Sequence, residues 1–417
     1  MSSEWRTASL LDHYEVRSGL SKPAKDFGSG YPFLTFKDVF YNYFTPEHLG
    51  DFVQSTEKER EGCSILRGDV FLTRTSETMH ELGMSCVALR SYKDATFNGF
   101  CKRLRPKPSS ELLPEYVGYY LRSPVFRQAV SAMSTMSTRA SLNNEMIGRL
   151  EISFPPREVQ VRISEILKSL DDRITLLRET NFTLEAIAQA LFKSWFVDFN
   201  PVRAKAEGRQ PEGMGGDTAA LFPDSFEKTE LGLIPKGWEI TSLGSQCSLA
   251  WGNTTITKKS YVANGAKAYS AAGQDGFVEK AERSGIGSVI SAIGTVGNVH
   301  LAFEDWTAIK NTLTAQCDSD EESSYIHLLL RNVDFPARGS TQQFISLGDA
   351  KGLKVISPPI DVKLVFGDIV FSLIRKIVEN QKQAIILTQL RDTLLPRLIS
   401  GQLRLPDAEQ AVSEALA

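Results

Sequence analysis

From Ile163 an apolar residue recurs at every seventh position, through Leu170, Leu177 and Leu184 to Leu191. Ile166, Leu167, Ile174, Ile187 and Ala188 widen this stripe. Phe366, Leu373, Leu387 and Leu394 form a second one in the same phase, interrupted by Asn380. A heptad stripe of this length predicts a coiled-coil seam. Each helix would run for about 35–40 residues, about 55–60 Å at 1.5 Å per residue. Pro155-Pro156 and Pro358-Pro359 stand just before the two starts, where a missing N–H costs little. Pro396 should kink or loosen the second helix near its end, with Gly401 as its stop. Asn380 reads equally as a register-fixing polar residue or as a water-exposed break.

The two junctions belong to an internal repeat. An offset of 203 superposes the proline pairs and then, without a gap, Val159 on Val362, Leu170 on Leu373 and Leu191 on Leu394. At the front, "EWRTASL" and "GWEITSL" align Trp5 with Trp238 and Leu10 with Leu243, an offset of 233 that also pairs Gly19 with Gly252. The ends of the two blocks match while their interiors diverge. Strand-like alternation marks "YPFLTF", "SILRGDVFLTR" and "GRLEISF" in the first block, and "GSVISAIGTVGNVHLAF" and "GLKVISPP" in the second. "PEYVGYYLRSPVFRQAVS" and "SSYIHLLLRNV" read as helices late in each. The prediction is an α+β fold: block one over 1–154, helix 155–200, a proline- and glycine-rich linker 201–234, block two over 235–357, helix 358–401 and a tail 402–417.

Composition narrows the class. Of 417 residues 42% are hydrophobic and 23% charged, the mix of a globular protein. No apolar run approaches the ~20 residues of a membrane span. The opening "MSSEWRTASLLDHYE" lacks a basic region followed by an apolar core, so no signal peptide is expected. With five scattered cysteines and no CxxC pair, the expectation is a reduced, cytoplasmic protein without membrane partners. The formal net charge of −3 means that any nucleic-acid role must rest on local chemistry.

Catalytic chemistry is not visible in the sequence. There is no GxxxxGK[ST] loop, and "GTVG" at Gly294–Gly297 reads as a tight turn. The five histidines are isolated, and no spacing suggests a metal site. "FNPV" at Phe199–Val202 lacks the aromatic that would hold a flipped base. Asp361 and Lys363 open a helix, where an acidic residue suits the dipole. What remains is polar and basic decoration suited to phosphates and base edges. In the first block this is Lys37, Arg74, Thr75, Lys102, Arg103, Arg105, Arg139 and Asn143. In the second it is Lys258, Lys259, Lys267, Tyr269, Lys310, Asn311, Gln342 and Gln343.

Taken whole, the chain resembles a specificity subunit of a type I restriction–modification enzyme. The similarity lies in the linker "SWFVDFNPVRAKAEGRQPEGM" with "TAALFPDSF" and "LGLIPKGW", in "PPREVQ", and in "LRDTLLPRLISGQLRL". "PPIDVK" departs from the acid–Gln ending of that motif. The resemblance implies two target recognition domains, each reading one half of a split site on double-stranded DNA. It implies an antiparallel helical spacer, two docked methyltransferase subunits, and restriction (motor) subunits. S-adenosylmethionine, ATP and Mg would be bound by those partners and none by this chain, which would itself be non-catalytic. Phe192, Trp195, Phe196, Leu395 and Leu398 are then expected either to contact a partner or to pack within the chain. The alternative function is a coiled-coil scaffold, or a silent specificity cassette that reads no DNA.

Overall fold

The computed structural model describes residues 5–76, 81–133, 140–339 and 343–416. The chain divides into two compact units, one of Met1–Leu176 with Gln383–Ala417 and one of Leu177–Lys382. Each unit holds one globular block and part of both long helices, Arg157–Phe192 and Ile360–Ile399.

The two blocks share one topology. Each begins and ends in the same antiparallel ladder. Arg6–Ser9 pairs with Glu151–Phe154 in the first, and Glu239–Ser242 with Lys354–Ser357 in the second. These ladders coincide under the offsets of 233 and 203 read from the sequence. The main sheet of the first block runs Tyr14–Ser18, Cys101–Pro106, Val70–Thr73, Ser85–Val87. Its counterpart runs Ser248–Trp251, Thr312–Gln316, Gly287–Ser291, Val299–Ala302, in the same order. A smaller sheet in each contains a parallel pair, Phe27–Leu34 with Thr96–Phe97 and Ala266–Ser270 with Asp305–Ala308. The helix Asn144–Arg149 has its twin in Leu347–Gly352, again displaced by 203. The first block adds the helices Phe36–Tyr41 and Glu57–Gly62, and Pro124–Met133 extends its late helical region. The α+β prediction therefore holds. The "GTVG" segment is the hairpin turn expected, with Gly294 and Gly297 at positive φ.

Each block packs on both helices. In the second unit the helices run antiparallel, since Asn181 meets Asn380 while Phe192 meets Phe366. Of the heptad positions, Ile163, Leu170, Leu177, Phe366, Leu387 and Leu394 are buried; Leu184, Leu191 and Leu373 are half-buried. Ile187, expected to widen the stripe, is exposed. Asn380 is buried: its Nδ2 donates to Asn181 Oδ1 at 2.8 Å, and Asn181 Nδ2 donates to the Ile377 carbonyl at 3.2 Å. The register-fixing alternative thus prevails over the exposed break. Pro396 stays inside the last turns of its helix, and Gly401, at φ +71°, follows the end.

The two junctions lock differently. Gln160 of "PPREVQ" is buried; its amide accepts from Leu113 N at 2.8 Å and donates to the Pro155 carbonyl at 2.9 Å. At the repeat position stands Lys363, whose ammonium donates to Gln246 Oε1, which also accepts from Ser357 Oγ at 3.2 Å. The amide missing from "PPIDVK" is thus supplied by the strand–helix opening of the block.

Docking also differs between the units. In the first, Arg391 forms an ion pair with Asp171 at 2.7 Å, Tyr119 donates to the same carboxylate at 2.8 Å, and the guanidinium lies 5.4 Å from the Tyr43 ring centroid. In the second, Phe192, Trp195, Phe196, Phe222, Trp238, Tyr325 and Phe366 form an aromatic core, with Phe196 and Phe366 edge-on at 4.8 Å. The segment read as a linker feeds that core. It forms the short helices Asn200–Ala206 and Gly216–Ala220 and a hairpin of Phe226–Thr229 with Gly232–Pro235, and it buries Val202, Phe222 and Ile234. The tail also folds, as the helix Leu405–Leu416 with Ala408 and Val412 buried.

Two outcomes follow for stability. Asn380→Leu strands the buried Asn181 carbonyl oxygen and should cost about 1–3 kcal/mol; adding Asn181→Leu should recover most of it, checked by a denaturant double-mutant cycle. His327 is buried on the helix Asp320–Leu330, 3.0 Å from Ser288 Oγ; burial, then Arg331 and His300, pushes its pKa down to about 3. The unfolded chain therefore takes up this proton first. The contribution is intact above about pH 6.5 and falls by up to about 1.4 kcal/mol per pH unit as pH drops towards 3. His327→Gln should flatten that slope in urea midpoints measured from pH 8 to pH 5.

Candidate nucleic-acid interface

The repeat gives both blocks one tip with different side chains. In the first, Arg74 N donates to the Phe100 carbonyl at 2.7 Å and Leu142 N to the Arg74 carbonyl at 2.8 Å. In the second, Ala292 N donates to the Asn311 carbonyl at 3.0 Å and Ile345 N to the Ala292 carbonyl at 2.9 Å. The same backbone bonds thus hold Arg74 and Ala292 in equivalent places, and likewise Phe100 and Asn311. Gly19 and Gly252 brace the two tips. A Cβ on Gly19 would lie 2.1 Å from the Asn98 carbonyl oxygen, and one on Gly252 would lie 2.4 Å from that of Ile309. No side chain fits at either position. Asn143 and Ser346 cap the equivalent helices. Asn143 accepts from Met146 N at 2.8 Å, and Ser346 from Asp349 N at 3.0 Å.

The structure sorts the sequence candidates by what their polar atoms already hold. Arg103 is buried and donates to the Ser64 carbonyl at 2.7 Å. Arg105 makes a two-pronged pair with buried Asp69, at 2.8 and 2.6 Å. Lys267 pairs with Glu304 at 2.8 Å and lies over the Phe303 ring, and Tyr269 is buried edge-on to Trp306. These four hold the fold together, because their strands run through the interior, and they are withdrawn from the interface. Asn143 has its oxygen committed to the cap, and Lys258 is paired with Asp275 at 2.5 Å. Arg139 and Gln342 lie outside the described residues.

Arg74, Thr75, Lys37, Lys259, Lys310, Asn311 and Gln343 are half-buried or exposed, and their side chains have no partner among the described residues. Lys102 donates to two neutral oxygens, Ser18 Oγ and Asn144 Oδ1, both at 3.0 Å. Its charge is therefore not neutralised; burial, then the nearby Arg74 charge, lowers its pKa. The first tip thus gathers Arg74, Thr75 and Lys102 with Phe100, and the second Lys310, Asn311, Gln343 and Phe344. Residue-type reasoning overlooked the exposed aromatics Phe100, Trp251 and Phe344. The signal available was the repeat itself, which sets Trp251 on Ser18 through the offset of 233.

The five apolar partner-contact candidates are interior. Phe192, Trp195 and Phe196 lie in the aromatic core, and Leu395 and Leu398 are buried in the first unit. Packing within the chain leaves them no surface for a partner. Among the described residues no group of three or more His, Cys, Asp or Glu is placed to hold a metal ion, and no helix is long and apolar enough to cross a membrane. Burial raises the thiols of Cys101, Cys247 and Cys317 to about 12.

Comparison with known proteins meets this geometry. The family model of the type I restriction modification DNA specificity domain matches residues 2–186. The MjaIX specificity subunit of a type I restriction enzyme from Methanocaldococcus jannaschii is 25% identical over 435 aligned positions, 97% of this chain and 94% of that protein. The HindI specificity subunit from Haemophilus influenzae is 24% identical over 70% of this chain and 78% of its own. A crystal structure of a type I restriction–modification S subunit from M. genitalium shares the fold, with TM-score 0.59 at 16% identity over 95% of this chain and 97% of that one. With two blocks of one topology, each closed on a pair of long helices, the chain is similar in sequence over most of its length, and in fold, to the specificity subunits of type I restriction enzymes.

Proposed function

We propose that this chain is the DNA-reading subunit of a cytoplasmic type I complex, each block reading one half of an asymmetric, bipartite duplex target. One observation carries the reading: a common backbone framework presents two different sets of unpaired polar side chains at equivalent tips. A protein that needed only a scaffold would have no use for Arg74 and Lys102 without a carboxylate partner among the described residues in one copy and for exposed Lys310 and Asn311 in the other. Lys and Arg position the duplex by its phosphates, while Arg and Asn distinguish guanine and adenine edges. The first block carries one net positive charge and the second one net negative, so affinity draws on basic surface supplied by partners.

Catalysis resides in those partners. Methyltransferase subunits hold S-adenosylmethionine and methylate adenine; restriction subunits hold ATP and Mg. The long helices dock two methyltransferase subunits and set the gap between half-sites. Support for two equivalent docking points comes from the repeat. Phe182 on the first helix is 77% exposed and Ile385 on the second 57% exposed, and the offset of 203 sets one on the other. Both present a large apolar side chain to solvent at equivalent positions of the repeat.

Two outcomes test the reading. DNA from cells carrying the chain with its methyltransferase should bear methylated adenine in both halves of a split motif, lost when only this chain is deleted; Arg74→Ala should weaken recognition of one half alone, by about 5- to 150-fold for one lost base contact. An unchanged methylation map without the chain excludes it as the reader. Phe182→Glu with Ile385→Glu should weaken methyltransferase binding in analytical ultracentrifugation while the chain's own melting temperature is kept.

A further inference from the structure

We infer that the tip position occupied by Phe100 in the first block and Asn311 in the second selects one base pair in each half-site, an inference that rests on the DNA-reading function above. The two residues are equivalent by backbone chemistry, not by sequence similarity. Leu20 N donates to the Phe97 carbonyl and Asn253 N to the Ala308 carbonyl, both at 2.8 Å. Three residues after each of those carbonyls stand Phe100 and Asn311, whose own carbonyls accept from Arg74 and Ala292. Gly19 and Gly252 press against the turn between, so neither tip can withdraw without moving a strand.

On this fixed frame the side chains differ as sharply as two residues can. Phe100, two positions before Lys102, is a large apolar residue, 63% exposed, whose carbonyl accepts from Arg74 N. An exposed phenylalanine at a basic edge has no part in the core: Phe33, Phe71 and Phe97 already fill it. Asn311 is exposed at φ +69°, and its amide has no partner among the described residues. Asparagine enters this left-handed region more readily than other non-glycine residues, so the backbone accepts it without using its amide. An apolar edge matches the 5-methyl group of thymine, whereas a free amide matches the N6 and N7 edge of adenine. Lys102 near Phe100 and Lys310 next to Asn311 supply the phosphate contacts that seat each tip.

The test uses the full chain assembled with its methyltransferase subunits and a pool of duplexes randomised through both halves of the target, with the bound fraction sequenced. Phe100→Asn should move the base preference at one position of one half-site towards adenine by about tenfold or more, with the other half unchanged. Asn311→Phe should do the converse in the other half. Phe100→Leu, which keeps the apolar edge, should keep the original preference. Unchanged preferences in both exchanges overturn the inference, as does a uniform loss of binding shared by Phe100→Leu, which marks a structural role. An unmodified complex that selects no sequence at all overturns the DNA-reading function itself, whereas a clear motif indifferent to these exchanges overturns only the role of this position.

Discussion

The apolar seam between the two long helices is the interaction on which the rest depends. Each globular block closes with a short ladder and then leans on both helices, so neither block completes its core without them. In the first unit Leu167, Leu170 and Leu387 are fully buried; in the second Val362, Phe366 and Val370 are. Burial on this scale, at about 25 cal/mol per Å² of apolar surface, is what holds each block to the helices. A heptad seam by itself tolerates slippage, since each position resembles the one seven residues away. The Asn181–Asn380 pair removes that freedom, because a shifted register would leave two amides buried without partners.

The two halves solve one docking problem with different chemistry. Asp171 and Arg391 are replaced under the repeat by Ile374 and Ala188, both buried in the second unit. One block is held by a shared carboxylate between Arg391 and Tyr119, the other by apolar and aromatic packing that recruits the segment between the halves. A partly buried ion pair satisfied on several sides fixes geometry more than it adds stability. The aromatic core needs no such match, but it needs volume. That is why Phe222 and Trp238 return to it from a stretch rich in proline and glycine.

Recognition is separated from this machinery. The residues that make the blocks rigid, Arg103, Arg105, Lys267 and Tyr269, are of the same types that contact DNA elsewhere, and their sheets consume them. Of those left over, Arg74, Lys310 and Asn311 stand between strands, where side chains can vary without disturbing the ladder beneath. The close approach of Gly19 and Gly252 to those turns is the constant element that lets the decoration differ.

The sequence by itself determined the repeat, the two helices, the α+β class and the matching ends of the blocks. These rest on local periodicity and on matched positions such as Gly19 and Gly252 that two offsets bring into register. The tertiary structure decided which basic residues are free. A lysine at position 267 and one at 310 look alike in the chain, yet Glu304 and Phe303 claim the first and nothing described claims the second. It also decided that Phe192, Trp195 and Phe196 are core, because the residues that cover them, Tyr325 and Phe366, come from more than a hundred positions away. Periodicity is written along the chain and can be read there, whereas the partner of a given side chain is fixed only when distant segments meet.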